Sequence, residues 1–127
     1  MADVVTLQLP RGRDYRAVAH LVLGGFATRL DLTYDVLDDI QTAVDALLER
    51  RDAGADMTLA LRLDGGAVHA SVGPFSGSLA DDLSGAHEPG LGLRRVLETV
   101  VDDVTVTERD GAQWVELTKH VPMSDDA

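Results

Sequence analysis

The stretch Met57-Thr58-Leu59-Ala60-Leu61-Arg62-Leu63-Asp64-Gly65-Gly66-Ala67-Val68-His69-Ala70-Ser71-Val72 decides the fold. Two apolar runs, Met57 to Leu63 and Ala67 to Val72, flank Asp64-Gly65-Gly66, and glycines between two segments of strand length predict a tight antiparallel hairpin. Parallel neighbours would need a crossover of about a dozen residues or more. A doubly wound parallel sheet is therefore excluded.

Towards the N-terminus, Thr33 is placed to cap a helix whose apolar positions, Val36, Leu37, Ile40, Ala43, Val44, Leu47 and Leu48, recur at three and four, with Gly54 beyond its basic last turn. Asp35, Asp38, Asp39 and Asp45 read as its solvated face, and the early acids with late Arg50 and Arg51 suit the helix dipole. A preceding helix runs from about Asp14 to Leu30 on Tyr15, Val18, Ala19, Val22 and Phe26. Gly24-Gly25 inside it predicts a close backbone approach or a local kink, because each glycine costs about 1 kcal/mol relative to alanine. Val4 to Leu9 reads as a first strand stopped by Pro10.

Towards the C-terminus, Gly73 to Gly90 is rich in Gly, Ser, Pro and Asp and shows neither period, which marks a candidate lid. Leu91, Leu93, Val96, Leu97, Val100 and Val101 predict a third helix. Val104 to Thr107 and Trp114 to Leu117 predict a second hairpin turning at Asp110-Gly111. The expected architecture is α+β, a two-layer sandwich with a mixed, mostly antiparallel sheet packed on three helices. One domain accounts for all 127 residues, with an ordered core over about 3–120 and a polar tail over 121–127.

Charge narrows the function. The 22 acidic residues outweigh 11 basic ones, a net −11 that repels a phosphate backbone, so no nucleic-acid partner is expected. No cysteine is present, which excludes disulfides, thiolate metal sites and a cysteine nucleophile and suits a reducing cytoplasm. The apolar run near Leu21 to Phe26 is too short to span a bilayer, so no membrane role is expected. His20, His69, His87 and His120 lack the close spacing of a zinc motif, and Ser71, Ser76, Ser78 and Ser84 lack a nucleophile-elbow pattern. No metal and no catalytic triad are expected. Asp81-Asp82 reads as solvated loop, and Arg94 and Arg95 as helix surface.

The element order, with Leu37-Asp38-Asp39-Ile40-Gln41-Thr42-Ala43-Val44 on the second helix and Pro89-Gly90-Leu91-Gly92-Leu93 opening the third, resembles the GHKL ATPase superfamily, in its anti-sigma-factor serine/threonine kinase branch. In that family the second helix carries a glutamate as general base and, four residues later, an asparagine that holds magnesium. The resemblance places Ala46 and Arg50 at these positions. A methyl group accepts no proton, and a guanidinium has no lone pair for a metal. A register using Asp45 or Glu49 would keep a carboxylate.

The family's first glycine box, with its adenine-reading aspartate, matches Val72-Gly73-Pro74-Phe75-Ser76-Gly77. Gly73 then stands for the aspartate and Phe75 for the first glycine, where it is expected to crowd the ligand; only Gly77 survives. The second box is kept as Gly90-Leu91-Gly92-Leu93, where glycines at a helix entry admit an anion. The residual nucleotide- or anion-binding set is Gly77, Gly90, Leu91, Gly92, Leu93 and Arg50, with no catalytic residue. The resemblance thus implies a catalytically degenerate regulatory module without a cofactor. Its implied partner is a sigma factor or an antagonist, and its implied state a homodimer. Two alternatives stay open: an active ATP- and magnesium-dependent serine kinase, and a magnesium-independent nucleotide or anion binder using Arg50.

Overall fold

A computed structural model describes residues 4–10, 16–49, 56–75 and 93–121. In chain order the elements are β1 (Val4–Leu9), α1 (Arg16–Arg29), α2 (Tyr34–Leu48), β2 (Met57–Asp64), β3 (Ala67–Phe75), α3 (Leu93–Val100), β4 (Asp103–Arg109) and β5 (Ala112–His120). The strands form one sheet in the order β1-β2-β3-β5-β4, and all four pairings are antiparallel.

Both hairpins turn in two residues. Gly65 and Gly66 have φ of 62° and 78°, and Asp110 and Gly111 have 52° and 81°. Positive φ at both central positions matches the turn to the right-handed twist of its strands. The register follows, with Asp64 opposite Ala67 and Arg109 opposite Ala112. Between Val72 and Phe75 the β3–β5 register shifts.

The helices cover one face of the sheet. The Thr33 side chain accepts from the Val36 N–H at 3.3 Å, opening α2 as its sequence predicts. α1 ends in paired bonds, Leu32 N–H to Ala27 C=O at 2.9 Å and Asp31 N–H to Thr28 C=O at 3.3 Å, with Asp31 in the left-handed region. α2 is the central helix, flanked by α1 and α3; α1 also touches β1, and α3 touches β4. Beneath α2, Ile40, Ala43, Val44 and Leu47 meet Leu59, Leu61, Val72 and Val115 in one buried core.

Gly24 and Gly25 are resolved differently from expectation. α1 runs unbroken through them, and a Cβ built at either would meet no atom within 4 Å. Burial of Leu23, Phe26 and Ala27 holds the helix, so neither a kink nor a close approach within the described chain accounts for the pair.

Candidate functional site

α2 carries Ala46, one of the two positions on the second helix that the resemblance singles out. Ala46 is half-buried and packs against the core, presenting only a methyl group. The neighbouring Asp45 points to α1, where its Oδ1 lies 2.7 Å from His20 Nε2. An ionised carboxylate only accepts, so Nε2–H is the donor. Six residues earlier, nearly two turns along α2, Asp39 Oδ2 lies 2.8 Å from Lys119 Nζ on β5. Lys119 shares the face of Val115 and Leu117, and its stem follows the sheet to reach α2. Asp35 and Asp38 are exposed as expected, whereas Asp39 and Asp45 are ion-pair partners that stitch α2 to β5 and α1.

Gly73 occupies the other face of the sheet. Its neighbour Val72 is fully buried, so position 73 looks away from the helices and onto Trp114. A Cβ built there would sit 2.6 Å from Trp114 Cδ2 and 2.8 Å from Cγ, inside any real contact distance. The Arg109 guanidinium lies over the same indole, 4.8 Å from its centroid. Arg109 Nη2 donates to Glu116 Oε2 at 2.6 Å, and Thr107 Oγ1 donates to that oxygen at 3.3 Å. This cross-strand stack leaves position 73 no room for a side chain. Sequence reading missed it, because the signal, Gly73 and Trp114 on adjacent strands, exists only once the register is known.

Phe75 is 4% exposed and belongs to the core, so its ring is a packing element and does not crowd the ligand side as its sequence position suggests. At the far end of β5, the His120 N–H donates to Asp102 Oδ2 at 2.6 Å, and His120 Nδ1 lies 3.2 Å from the same oxygen. That backbone hydrogen bond, aided by the charges of Lys119 and His120 and opposed by partial burial, holds the Asp102 carboxyl below its usual range.

Gly77, Gly90, Leu91, Gly92 and Arg50 lie outside the described residues, as do Asp81, Asp82 and His87. Leu93 opens α3, and its side chain lies outside the description too. Among the described residues no group of three or more His, Asp or Glu side chains is gathered to hold a metal. No described helix is long and apolar enough to cross a membrane.

A five-stranded antiparallel sheet with three helices on one face, the middle one carrying the Ala46 position, is a two-layer α+β architecture. The chain is similar along most of its length to proteins named serine-protein kinase RsbW. That of Bacillus subtilis is 26% identical over 94% of this chain and 87% of its own length. The protein of the same name from Halalkalibacterium halodurans is 28% identical over 86% of this chain and 78% of its own, and that of Listeria innocua 25% over 95% and 89%. Among solved structures, that of the RsbU and RsbW domains of Rv1364c from Mycobacterium tuberculosis shares the fold with a TM-score of 0.69 at 17% identity. The match covers 94% of this chain and about a third, 32%, of that one. No family model matches the chain.

Proposed function

We propose that this chain is a regulatory module that binds a protein partner of the sigma-factor or antagonist class and does not itself transfer phosphate. The observation that carries the reading is on α2. Ala46 stands where the resemblance calls for a general base, and the adjacent carboxylate, Asp45, is engaged by His20 at 2.7 Å. A base must reach the hydroxyl proton it removes, and an alkyl group has no lone pair with which to do so. Gly73 gives further support, since the Trp114 ring fills the space that an adenine-reading aspartate would need. In this reading the protein retains the scaffold and uses it as a binding surface.

A nucleotide titration tests the proposal, because a ligand that binds only the folded state raises its stability by mass action. Thermal melts with ATP and ADP, each with and without magnesium, are expected to superimpose on the melt of the free protein. A rise that requires magnesium contradicts the reading.

The second reading is an active ATP- and magnesium-dependent serine kinase, favoured by the name that the relatives carry. It requires Asp45 or Glu49 as the base, so Asp45→Ala or Glu49→Ala would abolish turnover. A magnesium-independent rise in stability would instead assign an anion site to Arg50, Gly77 and the Gly90-Leu91-Gly92-Leu93 segment.

A further inference from the structure

We propose that the open face of the sheet holds a binding site for a small tetrahedral oxyanion of the phosphate type, formed by Arg62, His69 and Ser71. The inference goes beyond the regulatory reading and does not depend on it. The helices cover one face of the sheet, and on the other the outward residues of neighbouring strands stand side by side. The register sets Val4, Arg62, His69 and Thr118 in one row across β1, β2, β3 and β5, and Thr6, Ala60, Ser71 and Glu116 in the next. Here lies a cavity of about 40 Å³, lined by Val4, Ala60, Leu61, Arg62, His69 and Ser71. Ala60 makes the hollow, because its methyl group is the smallest side chain among its neighbours Thr6, Arg62 and Ser71. Leu61 is 1% exposed with its side chain in the core, so it gives backbone to the floor.

Each polar group around the hollow is a donor. Arg62 offers a guanidinium, His69 an imidazole N–H and Ser71 a hydroxyl. Among the described residues Arg62 pairs with Asp64, through Nη1 at 3.0 Å, while neither the His69 ring nor the Ser71 hydroxyl has a hydrogen-bond partner. An ion pair as exposed as Arg62–Asp64, at 45% and 63%, holds weakly and leaves the other guanidinium nitrogens to a second anion. Glu116, opposite Ser71, is the acid that would compete from β5, and it is turned towards β4. Its Oε2 accepts from Arg109 Nη2 at 2.6 Å and from Thr107 Oγ1 at 3.3 Å.

The donors and the size of the hollow select the occupant. Three donors spaced around one hollow suit a tetrahedral oxyanion, whose several oxygens each accept, whereas a planar carboxylate brings only two. A guanidinium fork also matches phosphate geometry, through two parallel charge-assisted bonds. Sites for whole small molecules enclose several hundred cubic ångströms, on the order of 300 or more, so this cavity takes a phosphate-sized group and not a nucleoside. A chain at −11 repels anions from most of its surface, so an anion that stays must be held by specific contacts.

Amide NMR spectra of the full chain test the proposal, with inorganic phosphate titrated at fixed pH and ionic strength against chloride. Saturating shifts should centre on Arg62, His69 and Ser71. Arg62→Ala removes the charge, and Ala60→Leu keeps it but fills the hollow; each should weaken binding about tenfold or more while retaining the wild-type circular dichroism. Arg94→Ala on α3 should leave binding unchanged. Acetate should bind more weakly than phosphate. Methyl phosphate, run beside inorganic phosphate, separates a monoester from the free ion, and the tighter binder is the form the site takes. Shifts that do not saturate, that chloride reproduces or that persist in Arg62→Ala overturn the proposal, as does acetate binding as tightly as phosphate. Should Ala60→Leu fail to fold, His69→Ala takes its place with the same loss expected. The cavity lies on the sheet face away from α2 and α3, so failure here leaves the regulatory reading standing.

Discussion

At Gly73 one added methyl group is too much. The Gly73→Ala Cβ would lie 2.6 Å from Trp114 Cδ2, and moving the ring would disturb its stack with Arg109. Overpacking of this kind costs about 1–3 kcal/mol, and urea unfolding should show a loss of that size. In a Trp114→Ala background the penalty should shrink, because the obstructing ring is gone. Asp102 carries a pH-dependent contribution. Its carboxyl is held below the usual range by the His120 N–H, so its stabilisation is complete above the ordinary value of about 3.9 and is lost as pH falls through the lower folded value. Melting temperatures on the acid side should therefore fall less steeply in Asp102→Asn than in the wild type. The His20–Asp45 pair is partly exposed, at 40% and 32%, so His20→Ala should cost no more than about 1 kcal/mol.

The elements rest on caps, turns and one shared core. Thr33→Ala removes the acceptor for the Val36 N–H and should cost about 1 kcal/mol in chemical denaturation. Leu47→Ala opens a void under the central helix and should cost about 2–5 kcal/mol by the same measurement. The hairpins and α2 were legible in the sequence because their signals are local. Gly65-Gly66 and Asp110-Gly111 permit the positive φ of two-residue turns, and the apolar spacing from Val36 to Leu48 sets the buried face directly. What could not be read was tertiary. Asp39 and Asp45 look like surface acids until Lys119 and His20 are brought to them by other elements, and Phe75 looks like an intruder until the sheet buries it. Gly24-Gly25 suggested a contact inside the chain that the folded helix does not make.

At the scale of the whole molecule, charge is unevenly spread around the two-layer scaffold. A net −11 with exposed acids on α2 should steer a basic partner surface to the protein, so the association rate of a partner complex should fall steeply as salt rises. Of the candidate site, the sequence placed Ala46 on α2, but it began the candidate lid at Gly73, whereas β3 runs on through Gly73 to Phe75; the partners that engage Asp45 and fill the space beside Gly73 also required the packed structure. The central claim is partner binding without phosphoryl transfer. It is tested most directly by mixing the protein with sigma-factor and antagonist-class proteins of the same genome, in the presence of magnesium and ATP labelled at its γ-phosphate, and following complex formation and label together. The account predicts a complex that forms with or without nucleotide and a partner that stays unlabelled. Label appearing on a partner serine would contradict it.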